Sequence, residues 1–91
     1  MQYEDIRESI RTFIEDGLLG GDDVTIEPST PLLELGIITS LSTMRLLSFI
    51  RERFEVEIPL NEMTGDNFRD LTAITTLVAG QVPTGVHNAG R

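Results

Sequence analysis

Apolar residues recur at helical spacing near the start of the chain. In residues 3–16 they fall at positions i, i+4, i+7 and i+8, with charged residues between them: Ile6, Ile10, Phe13 and Ile14. This spacing predicts an amphipathic helix. We expect the helix to end at Gly17, with Gly20 and Gly21 following, because glycine favours the end of a helix over its interior.

Residues 40–54 carry the clearest helical pattern. At about 100° per residue, one face of this helix is apolar and must meet the core: Thr43, Leu46, Leu47, Ile50 and Phe54. The opposite face carries Leu41, Arg45, Ser48 and Glu52. Met44 and Phe49 lie on the two flanks, and we expect Phe49 to pack under the preceding loop. Pro59 ends any continuation.

The other segments are shorter. Residues 18–39 form a long connection, in which Pro28 and Pro31 oppose a helix. Its leucines indicate that part of it is held to the core: Leu32, Leu33 and Leu35. One short helical turn is predicted from Asp66 to Arg69, and a last helix over 72–79, closed by Gly80 and Pro83.

These elements predict an all-α fold. We expect a small four-helix bundle, made of three main helices and one short helix, with a long first loop. We expect residues 1–80 to form one domain and residues 81–91 to be a flexible C-terminal tail.

The composition excludes several kinds of chemistry. The chain has no cysteine, and its one histidine, His87, lies in the predicted tail. Disulfides, thiol nucleophiles and histidine-based catalytic pairs are therefore not expected in the folded part, and no metal site is predicted. No apolar run is long enough to cross a membrane, and the acidic N-terminus is unlike a signal peptide. We expect a cytoplasmic protein.

The net charge is strongly negative. It is −8 at pH 7, and every basic residue is an arginine. Such a surface repels nucleic acid and anionic membrane, so neither is an expected partner. It suits basic protein partners, although solubility alone would equally account for it.

Two hydroxyl residues stand at the start of the second helix. Thr39 is a good N-cap, and Ser40 then takes the first helical position, where the helix dipole favours a phosphate ester. No base neighbours Ser40, so any covalent chemistry must be done to it by another enzyme. The alternative is that Ser40 is only a capping residue.

The solvent face of this helix offers candidate partner contacts. Leu41 is apolar and lies beside Ser40, and Arg45 follows one turn later, with Ser48 on the same face. Met44, on the flank, is a further candidate, although partly buried packing is the favoured interpretation for it.

The motif around Ser40 resembles a known family. The run LGIITSL over residues 35–41 is followed by Met44-Arg45-Leu46-Leu47, Ile50-Arg51-Glu52-Arg53-Phe54 and Val56-Glu57-Ile58-Pro59. This is similar to acyl carrier and peptidyl carrier proteins, which show Leu-Gly, a short gap, Asp-Ser-Leu and a helix leading to Val-x-Ile-Pro. The two-residue gap and the arginines look more like stand-alone aminoacyl or D-alanyl carriers than fatty-acid carriers.

The resemblance implies a function. Ser40 would receive 4′-phosphopantetheine from coenzyme A through a phosphopantetheinyl transferase, and the arm would carry an acyl or aminoacyl group as a thioester. An AMP-forming ligase and downstream acyltransferases or tailoring enzymes are the implied partners. The carrier would be a monomer and would itself catalyse nothing. Thr39 replaces the family's usual Asp, which implies slower modification or a dedicated transferase.

A competing interpretation requires no modification. In it the chain is a degenerate carrier, a helical interaction module that docks partners through Leu41, Met44 and Arg45. The two interpretations differ in whether Ser40 gains a phosphopantetheine.

Overall fold

Helices account for most of the computed structural model, which describes residues 2–21 and 25–82. The α-helices are α1 (Tyr3–Thr12), α2 (Ser40–Phe54), α3 (Gly65–Phe68) and α4 (Leu71–Gln81). A π-helical segment (Phe13–Leu18) prolongs α1, and a 3₁₀ turn (Leu60–Glu62) precedes α3. No β-strand occurs among these residues. The all-α prediction, with three main helices and one short one, is confirmed.

The first helix runs further than the sequence predicts. It was expected to end at Gly17, but Gly17 lies inside the π-helical segment. A Cβ at this position would stand only 3.1 Å from the Phe13 ring, so glycine leaves room for that ring. The segment ends where Gly20 and Gly21 adopt positive φ angles of 87° and 79°, a region that disfavours other residues.

The long first loop is held to the core by one leucine. Leu32 is fully buried, and its backbone N–H donates to the carbonyl of Arg69 at 2.8 Å. The expectation that part of the loop is held to the core is therefore confirmed, although Leu33 and Leu35 are 38% and 62% exposed. Leu32 accepts bonds from the N–H groups of Ile37 and Ile38, which turns the chain toward α2.

The core face of α2 is as predicted at its centre. Leu46, Ile50 and Phe54 are buried among side chains of α1, α4 and the loops. Phe49 was expected to pack under the long loop, and its clearest contact lies elsewhere. It stacks instead on Phe13, with ring centroids 4.5 Å apart, because the π-helical extension of α1 places that ring against α2.

The last two helices are capped by side chains. Thr64 caps α3, and Asp70 caps α4 by accepting from the Ala73 N–H at 2.8 Å. Helix α4 continues through Gly80 to Gln81, and Val82 packs against the core. The helix therefore extends past the predicted start of the tail. The rest of that predicted tail, residues 83–91, lies outside the described residues.

Candidate functional site

The site is built on the first turn of α2. Thr39 is the N-cap, with extended backbone angles, and its Oγ1 accepts the Ser42 N–H at 3.2 Å. The Thr39 hydroxyl also donates to Ser42 Oγ at 3.2 Å. Because the cap is supplied by Thr39, the hydroxyl of its neighbour is not needed to begin the helix.

Ser40 is the first residue of α2 and is exposed to solvent. Within residues 2–21 and 25–82, its hydroxyl has no hydrogen-bond partner, and no acidic residue occupies the first turn of the helix. The unpaired backbone N–H groups and the positive end of the helix dipole lie beside it. The geometry thus presents an accessible oxygen where an attached anion is favoured.

An open cleft of about 510 Å³ lies next to Ser40. Its walls come from the first loop, from α2 and from the region of α3, including Leu33, Ile38, Thr43, Met63 and Phe68. No charged side chain lines the cleft. A group attached at Ser40 therefore has an uncharged, partly apolar wall on one side.

The predicted contact residues all lie on the solvent side of α2. Leu41 is 75% exposed, Met44 is 64% exposed, and Arg45 and Ser48 are also exposed. Partly buried packing, the favoured interpretation for Met44, is therefore wrong. Met44 and Ser48 line a smaller hollow of about 240 Å³ between α2 and the segment that follows it.

Arg45 makes one contact that the sequence did not reveal. Its guanidinium donates to the backbone carbonyl of Gly17 at 2.9 Å and so joins α2 to the end of the π-helical segment. The extension of α1 past Gly17 was not predicted, so this pairing was not foreseeable from helical spacing.

Three further apolar side chains are exposed where the sequence predicted no partner contact. Leu35 and Leu60 are 62% and 83% exposed, and Met63 is 37% exposed. The sequence contained a signal for the exposure of Leu60, because this residue directly follows Ile58-Pro59, where the helical pattern has ended. In the structure it begins a 3₁₀ turn that contains no buried residue. A single exposed apolar side chain is ordinary, and only a contiguous patch of them indicates a partner contact.

The described residues contain no group of three or more His, Cys, Asp or Glu side chains arranged to hold a metal ion. Over the same part of the chain, none of the helices has the length and apolar character needed to cross a bilayer.

Known proteins match most of this chain. The family model described as "phosphopantetheine attachment site" matches residues 6–75. The "probable acyl carrier protein PigG" of Serratia sp. (strain ATCC 39006) is 32% identical over 60 residues, which cover 66% of this chain and 69% of that protein. A chain in a crystal structure titled "FAD-dependent dehydrogenase" superposes with a TM-score of 0.72 and 36% identity. The match covers 76% of this chain and 97% of that one.

Proposed function

Because the chain belongs to the acyl and peptidyl carrier protein family, we propose that Ser40 is its attachment residue and that it shuttles an acyl or aminoacyl group between biosynthetic enzymes. Its covalent cofactor is 4′-phosphopantetheine. This site is supported most directly by the exposure of the Ser40 hydroxyl, which makes no hydrogen bond to any other described residue.

The residues around Ser40 fit such a group. Thr39 secures the helix start, so the N-terminal N–H groups of α2 face the position where a phosphate would be joined. The uncharged cleft beside Ser40 leaves space for an arm. When attached, the group supplies the thiol that holds the cargo as a thioester, and the chain has no cysteine of its own.

We propose that the chain presents the Ser40 hydroxyl, and later the attached arm, to enzymes that recognise its surface. We propose that the chain itself catalyses nothing. No charged side chain of the described residues lines the cleft beside Ser40, and none of the acidic residues stands in the first turn of α2, so a phosphopantetheinyl transferase must perform the attachment. Leu41 and Met44 give that enzyme an apolar contact beside the reacting oxygen. An AMP-forming ligase that loads the cargo and downstream acyltransferases or tailoring enzymes are the other proposed partners.

The similarity to a chain in a structure titled "FAD-dependent dehydrogenase" supports one class of tailoring enzyme. The match covers 97% of that chain but only 76% of this one, so the matched chain is itself no larger than a small carrier domain. We therefore propose that a flavin-dependent dehydrogenase is among the enzymes that act on the carried group.

Intact mass tests the attachment site. The chain is incubated with coenzyme A and a promiscuous phosphopantetheinyl transferase, beside Ser40→Ala and Ser42→Ala. We expect one phosphopantetheine increment in the wild type and in Ser42→Ala, whose hydroxyl lies in the same helical turn, and none in Ser40→Ala. Circular dichroism checks that all three are folded.

Two results would contradict the proposal. An increment in Ser40→Ala would place the attachment at another residue. The absence of any increment with several transferases would favour the unmodified interaction module.

A further inference from the structure

A groove runs between α1 and α2, away from the cleft at Ser40. Its volume is about 590 Å³. The stacked rings of Phe13 and Phe49 form its floor, and both side chains are only partly buried. The rings lie nearly parallel, at 14°. The groove therefore offers an apolar floor that solvent can still reach.

One end of the groove carries a cationic side chain. Arg53 lines the groove, and no carboxylate of the described residues lies within 4.0 Å of its guanidinium. The guanidinium lies 5.5 Å from the Phe54 ring. Glu8 lines the opposite wall at this end, but Arg11 and Arg7 already pair with it. The hydrogen bond from Arg11 holds the pKa of Glu8 below its usual value.

The other end differs in charge. Arg45 bridges α2 to the Gly17 carbonyl there, and Asp16 lies on the α1 wall. A partner carboxylate is therefore favoured near Arg53 and not near Asp16. The groove extends along the α1 wall from Glu8 to Gly17. At 1.5 Å per residue this is about 13 Å, a little more than two helical turns.

We propose that this groove is a docking site for an amphipathic helix of a partner enzyme. Apolar side chains of that helix would cover Phe13 and Phe49, and a carboxylate one turn further would pair with Arg53. The apolar floor, the length and the position of the Arg53 guanidinium all match this occupant. The groove does not include Ser40, so the inference does not depend on the proposed modification.

A synthetic helix tests the recognition chemistry. The probe is a hydrocarbon-stapled twelve-residue peptide with two leucines at i and i+4 and a glutamate at i+8, beside a version with lysine at that position. Binding is followed through amide chemical shifts of the ¹⁵N-labelled full chain. We expect shifts at Ser9, Thr12 and Gly17, and about fivefold weaker binding of the lysine peptide.

Charge reversal at Arg53 supplies the matched control. In Arg53→Glu the preference should invert, so that the lysine peptide binds more tightly, while Arg53→Lys should keep the original order. Absent shifts, equal affinities for the two peptides or shifts confined to Leu41 and Met44 would overturn the proposal.

Photo-crosslinking in cells that make this protein identifies the natural occupant of the groove. Benzoylphenylalanine is placed at Thr12 in the groove and, as a control, at Gln81 on α4. We expect an adduct specific to Thr12 whose sequenced peptide is a helical segment of a partner enzyme with an acidic residue beside apolar ones. The adduct should be lost in Arg53→Glu and retained in Ser40→Ala, which separates this site from the proposed modification.

Three results would count against an enzyme helix in the groove: no adduct specific to Thr12, an adduct that survives Arg53→Glu, or an adduct between two copies of this chain.

Discussion

Neighbouring hydroxyls at the start of α2 have different roles. Thr39 both accepts from and donates to Ser42, whereas Ser40 has no hydrogen-bond partner within the described chain. A threonine side chain satisfies the helix terminus as an aspartate would, but without the negative charge. Thr39, which stands where the family usually has Asp, therefore leaves the helix start intact. It changes only the charge that an approaching enzyme meets beside Ser40.

Substitution of Thr39 separates the cap from the charge. We expect Thr39→Asp to be modified faster by a promiscuous transferase, because a carboxylate beside Ser40 would assist the transferase site or its metal. Thr39→Asn is the matched control, since it caps equally well without charge. Initial rates of phosphopantetheine transfer, measured by mass, check the prediction. Equal acceleration by both variants would show that charge is not the cause.

Exposure of single side chains was the least predictable property at this scale. Leu32, Leu33 and Leu35 are alike in the sequence, yet only Leu32 is buried. Its burial depends on a backbone bond to Arg69, which is far along the chain, and no local pattern specifies such a bond. Ser40 and Thr39 were predictable, because a helix start is defined by its own neighbours.

Individual helices were predictable where their pattern was continuous. The predicted range of α2, 40–54, is the observed one, since its apolar face recurs over four turns. The first helix was predicted too short, because Gly17 has the local character of a terminus. The stacking of Phe13 on Phe49 stabilises the extension, and that contact joins two helices separated by the long loop. Tertiary packing thus overrides a local helix-stop signal.

Two helical glycines allow this explanation to be tested. A Cβ at Gly80 meets nothing within 4 Å, so Gly80→Ala should raise the free energy of unfolding by about 0.5–1 kcal/mol. A Cβ at Gly17 would be 3.1 Å from the Phe13 ring, which its stacking on Phe49 prevents from moving freely. We expect Gly17→Ala to lower the free energy of unfolding by about 1 kcal/mol. Urea denaturation measures both.

Equal stabilisation by the two alanines would contradict the role given to Gly17. It would mean that the Phe13 ring shifts at no cost and that the π-helical extension does not depend on a missing side chain.

Charge and apolar surface are divided unevenly over the molecule. The protein is acidic overall, yet α2 carries three arginines and one glutamate. Exposed apolar side chains lie on the first loop, on α2 and on the segment after it: Leu33, Leu35, Leu41, Met44, Leu60 and Met63. Helix α2 therefore packs one face against the core and exposes an apolar and basic surface on the other.

This division of α2 predicts that stability and modification can be changed separately. Leu46 is fully buried, so Leu46→Ala should lower the free energy of unfolding by about 2–5 kcal/mol. Leu41 is 75% exposed, so Leu41→Ala should change it by less than about 0.5 kcal/mol. Leu41→Ala should nevertheless lower kcat/KM for phosphopantetheine transfer by about tenfold, the loss of a contact worth about 1.4 kcal/mol.

The conservative variant makes this last prediction specific. Leu41→Met keeps an apolar side chain of similar volume, so its transfer rate should stay near that of the wild type. Urea denaturation and transferase kinetics on the same preparations give both quantities. If Leu41→Ala is modified at the wild-type rate, the exposed leucine is not a docking contact. A loss of stability in Leu41→Ala would instead mean that the two faces of α2 do not act independently.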